Sequence, residues 1–225
     1  MAKKTDQLTE NQKKRKVSSG PIREKARTKR KLISAVGKVI QRKGYAGLNV
    51  ASISKEAGLD RRLVYTYFGS LDNLIETYVK QKDYWSSNVK EDFLASLEDD
   101  TELKSEDIFN LLQGQFEAVL KDKALQKIIH WELGEKNKML RKISDNRELL
   151  GEELFKRVEP NFAGTDIDIR AILALQIGGL YYLSLHAKAN GSLFCGIDIN
   201  EMEGKERIEK ALETVLSLCY QKSEK

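Results

Sequence analysis

The residues of this chain best suited to chemistry crowd into KEAGLDRRLVYTYFGS, residues 55 to 70, where Arg61 and Arg62 are followed by Tyr65, Tyr67 and Phe68. A guanidinium is a planar fork of donors that matches O6 and N7 of guanine, or the oxygens of a phosphate. A tyrosine hydroxyl can bond a phosphate and so fix position without reading sequence. Two adjacent arginines on an otherwise apolar short helix call for an anionic partner, a surface salt bridge being the competing use. Other chemistries lack their residues. The sequence has no glycine-rich phosphate loop, no nucleophile elbow and no His/Cys cluster at metal-ligand spacing, and its carboxylates scatter over charged helical faces. The expectation is a protein that is not an enzyme and holds no metal or cofactor.

Such a display needs a scaffold, and the flanking residues predict one. Asn49 can cap a short helix with Val50, Ile53 and Ala57 inward, Gly58 and Leu59 turn the chain, and Asp60 can cap a next helix over residues 61–68. At 100° per residue, Val64 and Phe68 share one side of that helix, while Arg62, Leu63 and Thr66 project from the other. Upstream, Ala26, Leu32, Ala35, Val36, Val39 and Ile40 repeat at mostly three- and four-residue spacings and predict a first helix ending at Gly44. Downstream, Leu71, Leu74, Ile75, Tyr78 and Val79 predict a fourth, running on towards Trp85. Two short helices joined by a glycine turn, the second presenting arginine, form a helix-turn-helix pattern.

The charge distribution points the same way. Residues 1–70 hold 18 Lys+Arg against 5 Asp+Glu, a net of +13, and residues 71–225 hold 21 against 29, a net of −8, within a total of +5. Clustered positive charge draws a polyanion through phosphate attraction and counterion release. Residues 1–22 read as a disordered basic arm; their KKRKV resembles a nuclear import signal, a kind of cluster equally common in nucleic-acid-binding tails. Lys25 and Arg27 at the start of the first helix extend this sequence-independent attraction. Two cysteines, no apolar stretch of membrane-spanning length and no secretory leader predict a cytoplasmic protein that avoids membranes.

The segment GYAGLNVASISKEAGLDRRLVYTYFGSLDNLI, Gly44 to Ile75, closely resembles the DNA-binding segment of TetR-family transcription regulators. Gly44, Tyr45, Val50, Ile53, Ala57, Gly58, Tyr65, Tyr67 and Phe68 carry the likeness. The resemblance, which with the preceding helix covers about 50 residues, implies a sequence-specific regulator that binds double-stranded DNA. It implies Asn49, Arg61, Arg62, Leu63, Tyr65, Thr66 and Tyr67 at the DNA, with Thr66 and Tyr67 towards the backbone. One of Arg61 and Arg62 would specify a guanine and the other hold a phosphate; Tyr65 is read equally as a DNA contact or as a core aromatic. The chain departs from the pattern at Leu71, where a phosphate-binding lysine is common, and at Asp60, where Ser or Thr is favoured.

The remainder predicts an all-α fold: helices over roughly 105–122, 124–135, 138–158, 167–189 and 203–222, with a break at Pro160. The expected organisation is the arm over 1–22, a DNA-binding domain over 23–70 and a helical region over 71–225 for pairing and ligand binding. Gly178 and Gly179 inside an apolar helix predict close approach by another helix, because each costs roughly 1 kcal/mol there relative to alanine. By resemblance, that helix and the last one, with Leu212, Val215 and Cys219, form a homodimer interface. Phe116, His130, Trp131, Tyr181, Tyr182 and His186 are the candidates for contact with an unidentified small-molecule effector. The function expected is a ligand-responsive repressor on a near-palindromic operator; the alternative is an architectural, weakly specific DNA binder without effector.

Overall fold

The computed structural model describes residues 21–87 and 102–224, and among them the named elements are all helical, as the apolar periodicity predicts. The one β contact there is an isolated bridge between Phe194 and Ile197. All but the last two residues of the expected basic arm lie outside the described residues.

Helix α1 spans Pro21–Lys43. It starts two residues before the expected position, on a proline, which the first turn accepts because its N–H groups have no partner within the helix. Leu32, Ala35, Val36, Val39 and Ile40 form its buried stripe, whereas Ala26 is exposed and takes no part in it. After a short 3-10 turn at Tyr45–Gly47 come α2 (Val50–Ala57), α3 (Arg62–Phe68) and α4 (Leu71–Lys82). The expected fourth helix ran on through Asp83, but the backbone there is extended, and a separate turn, α5, follows at Tyr84–Ser87. The rest is α6 (Ser105–Lys121), α7 (Lys123–Gly134), α8 (Lys138–Val158), a 3-10 turn (Glu159–Phe162), α9 (Ile169–Ala189) and α10 (Met202–Ser223).

Charge explains the break at Asp83. Its side chain is 2 % exposed and accepts the Nε–H of Arg147, from α8, at 2.6 Å. A carboxylate taken out of water needs such a partner, and turning the chain at Asp83 delivers it.

Apolar packing crosses the expected boundary at residue 70. One cluster runs through α1 to α4 and continues into Ala124, Ile128 and Trp131 of α7 and Leu140 and Ile143 of α8. A second joins α6, α9 and α10 through Ile108, Leu112, Phe116, Leu173, Leu180, Leu212 and Leu216. Each fully buried side chain of this size contributes about 2 kcal/mol.

Helix α7 is tied to the N-terminal helices by polar contacts as well. Trp131 stacks on Tyr45 with ring centroids 5.4 Å apart and planes within 2°. Lys127 Nζ donates to the carbonyl of Gln41 at 2.8 Å, near the C-terminal end of α1, where cations are favoured. Helices α1 and α4 cross closely at Gly37, where an added Cβ would fall 2.6 Å from the Tyr78 hydroxyl. Burial, with the Asp122 carboxylate nearby, pushes the Tyr78 phenol up to about 12.

Candidate nucleic-acid interface

The α2–α3 turn is fixed by local hydrogen bonds that the sequence supplies. Asn49 Oδ1 accepts the N–H of Ser52 at 2.9 Å and caps α2. At the other end Gly58 takes φ 64 and ψ 39, the left-handed conformation that glycine enters without a Cβ penalty. The N–H groups of Gly58 and Leu59 then return to the carbonyls of Lys55 and Ser54 at 3.2 and 3.0 Å. Asp60 Oδ1 accepts the N–H of Arg62 at 2.7 Å, so Asp60 serves the start of α3 as expected. The helix itself begins one residue later than predicted, with Arg61 as the preceding helical residue.

Beyond α3 the chain is locked again. Ser70 Oγ accepts the N–H of Asn73 at 3.1 Å, and Asn73 Nδ2 donates to the carbonyl of Phe68 at 2.8 Å. Lys29 of α1 stands 5.6 Å from the centroid of the Phe68 ring, and Arg42 of α1 bonds Glu56 of α2 at 2.7 Å. The short α3 is therefore held by its neighbours, since a helix of seven residues does not persist alone.

Helix α3 sorts its side chains sharply. Val64 is fully buried, and Leu63, Tyr67 and Phe68 are half-buried against the N-terminal cluster. Leu63 thus leans on the core rather than projecting freely, as the helical projection alone suggested. Arg61, Arg62 and Thr66 are exposed, and Tyr65, at 55 % exposed, is not a core aromatic. The Thr66 hydroxyl donates to the carbonyl of Arg62 at 3.0 Å, leaving its lone pairs outward. Among the described residues neither Arg61 nor Arg62 makes an ion pair, so the salt-bridge use is not taken up there. Lys25 and Arg27 are exposed on α1, and Asn49 is exposed at the start of α2.

The other candidates divide. His130, Tyr181, Tyr182 and His186 line one cavity of 480 Å³ between α7, α8 and α9. Tyr181 also lines a second, of 230 Å³. Phe116 and Trp131 belong to packed cores instead: Phe116 is enclosed by α6, α9 and α10, and Trp131 is buried against Tyr45. Both obey the general tendency of aromatic residues on the inner face of an amphipathic helix to be core.

Two charged residues outside the sequence candidates, Glu132 and Arg147, line both cavities, and Asp83 is bonded to Arg147. Arg147 Nη1 donates to both oxygens of Glu132, at 3.0 and 2.9 Å, while its Nε holds Asp83. Burial works against the Arg147 charge, and the two carboxylates overcome it and raise its pKa above the usual value. A signal was present: Arg147 follows the buried Leu140 and Ile143 at helical spacing and so falls on the inner face of α8.

On α9 a Cβ added at Gly178 or Gly179 would meet nothing within 4 Å, so no part of the described chain makes the close approach expected there. Leu175 is 78 % exposed, Val215 41 % and Leu218 59 %, which leaves apolar stripes on α9 and α10 uncovered. Leu212, expected at the interface, is buried inside the chain against α6 and α9, and Cys219 packs partly against that same cluster. The reason is register, since at about 100° per residue Leu212 and Leu216 centre on the inner face of α10 while Val215 and Leu218 centre roughly 110° further round it.

A glycine-turned helix pair whose second helix presents exposed guanidinium groups ahead of a helical bundle is a helix-turn-helix, the arrangement that can lay a helix in a DNA groove. Residues 27–78 match the family model described as bacterial regulatory proteins, tetR family, so the N-terminal unit of the chain is similar to the helix-turn-helix segment of that family. The fold is similar to that of the fatty acid degradation regulator FadR from Bacillus halodurans, with a TM-score of 0.59 at 20% identity over 88% of this chain and 95% of that one. It is also similar to a TetR-like transcriptional regulator from Rhodococcus sp. RHA1, with a TM-score of 0.57 at 16% identity over 84% and 93%. The multidrug binding protein EbrR, complexed with imidazole, gives 0.54 at 20% identity over 85% and 93%. No curated protein matches the chain. No helix among the described residues is long and apolar enough to cross a membrane, and none of their His, Cys, Asp and Glu side chains group to hold a metal.

Proposed function

We propose that the chain is a ligand-responsive repressor that binds a near-palindromic operator as a homodimer in the cytoplasm. The observation that carries the reading is the set Arg61, Arg62 and Tyr65, exposed and without an ion pair among the described residues, on a helix held by α1, α2 and α4. One arginine reads a guanine edge and the other holds a phosphate; Tyr65, Thr66 and Tyr67 position the helix, and Asn49, Lys25 and Arg27 add backbone contacts. Leu63, half-buried, keeps at most an edge for a thymine methyl.

Pairing follows from the uncovered stripes. Ala171, Leu175, Gly178 and Tyr182 recur down α9, and Ala211, Val215 and Leu218 down α10, so a second copy would cover both at once around a two-fold axis. Two reading helices would then face successive turns of one duplex, about 34 Å apart. The cavities beside Glu132 and Arg147 supply room for an effector, and response to it requires unequal affinity for the DNA-binding and released forms. Proteins of this fold include one named for regulating fatty acid degradation and one named for multidrug binding, which supports an effector of small, largely apolar character. The chain has no catalytic role in this reading.

Selection of bound duplexes from a random pool, with sedimentation of the same preparation, tests it. A near-palindromic motif recovered by a dimer is the expected result. Equal affinity for selected and random duplexes at moderate salt, or a monomer at micromolar concentration, would overturn it in favour of an architectural binder.

A further inference from the structure

The two cavities of the helical bundle share a wall, and that wall is ionic. The inner cavity, 230 Å³, is bounded by Trp85, Ile108, Leu112, Phe155, Leu173 and Ile177 among others. The outer one, 480 Å³, is bounded by Ile129, His130, Tyr182, Leu185 and His186. Glu132, Arg147 and Tyr181 line both.

Around the inner cavity two carboxylates, Glu132 and Glu148, face one guanidinium, Arg147, while His130 and His186 line only the outer cavity. The Arg147 guanidinium is committed to Asp83 at 2.6 Å and to Glu132 at 2.9 Å. Glu148 adds a further carboxylate to the lining of the inner cavity, and no lysine lines either space. A second arginine near the inner cavity, Arg170, stacks on Phe155 at 4.3 Å and is bonded to Glu152 and Glu159, without forming part of the lining. Trp85, Phe155 and Tyr181 present aromatic rings to the same space, and the electron-rich face of such rings attracts cations.

We propose that the ligand of this site is a lipophilic cation, with its apolar or aromatic body in the inner cavity and a quaternary or protonated nitrogen against the Glu132 carboxylate. The proposal rests on the reading of this bundle as an effector domain and names the class of effector. A fatty-acyl carboxylate would find the same apolar walls. Its head, however, would meet Glu132 and Glu148 and a guanidinium already bonded on two sides, so binding it would require drawing Arg147 out of part-buried ion pairs.

Calorimetry on the full chain decides between the classes with decyltrimethylammonium and decanoate, matched in chain length and kept below micelle-forming concentrations. The ammonium should bind at least about tenfold more tightly, and Glu132→Gln should weaken it by at least about tenfold while leaving decanoate no weaker. Glu148→Gln, at an exposed position, is the second variant should Glu132→Gln melt early; it should weaken the ammonium severalfold. Preference for decanoate, binding of neither probe, or an ammonium affinity unchanged in both variants would overturn the proposal. Operator affinity, measured on the same preparation with and without probe, separates this result from the regulatory reading. An ammonium that binds without altering operator affinity upholds the class of ligand and removes the response. A chain that prefers decanoate yet binds its operator loses only the class.

Discussion

Arg61 and Arg62 should part company when each is removed. Replacing the guanine reader with alanine should cost about 1–3 kcal/mol on the selected operator and flatten preference at one position. Replacing the phosphate binder should weaken all duplexes alike and lower the salt slope by about one. Fluorescence anisotropy at two salt concentrations distinguishes them, and identical behaviour of the two variants would contradict the division. Val64 and Tyr65, adjacent on α3, should differ as strongly in the other direction. Val64 is fully buried, so Val64→Ala should lower unfolding stability by about 2 kcal/mol in urea. Tyr65→Ala should stay within about 0.5 kcal/mol of the parent stability while losing operator affinity. The sequence left Tyr65 undecided because helical phase alone cannot say how wide an apolar stripe its neighbours will cover.

Helix α7 couples two parts of the molecule, with Trp131 and Lys127 turned to the N-terminal helices and Glu132 turned to the cavities. Trp131→Ala should cost about 3–5 kcal/mol, read by thermal or urea unfolding, and a loss under 1 kcal/mol would refute its place in the core. At the start of the same helix, burial opposes ionisation of Asp122, but Lys82 at 2.8 Å and the N–H groups of Ala124 and Leu125 prevail, so its pKa is lowered from 3.8. A carboxyl whose folded value lies below its unfolded one adds stability above the unfolded value and loses it as pH falls through the folded one. Stability should therefore drop as pH descends below 3.8, and Asp122→Asn should make that part of the profile shallower. The helices themselves were largely legible: α6 to α10 fall within two residues of their expected ends, because each carries a long apolar stripe between caps or breaks. The break at Asp83 was not, since it depends on an arginine 64 residues further along the chain. Phe116 and Trp131 were misread for a similar reason, as a cavity is a property of several helices and leaves no local mark.

At the scale of the whole molecule, the uncovered stripes on α9 and α10 govern the outcome. If the proposed pairing holds, Leu175→Asp with Leu218→Asp should yield a monomer in sedimentation and reduce operator affinity by at least about a hundredfold, because each head then binds alone. Retention of the dimer would place the interface elsewhere. The close approach expected at Gly178 and Gly179 finds no neighbour among the described residues, and the inward register of Leu212 was not legible, because α10 has apolar residues on more than one side and only packing chooses between them. The crossing at Gly37 has a mechanical corollary. With only a hydrogen between the backbone of α1 and the Tyr78 ring, the pitch of the reading head is set like a door on a shim of zero thickness. In the proposed symmetric pair, a single methyl inserted there would tilt both heads by the same amount, the two tilts related by the two-fold axis. Operators whose half-sites are spaced slightly differently from the parental one would then be the ones such a variant prefers.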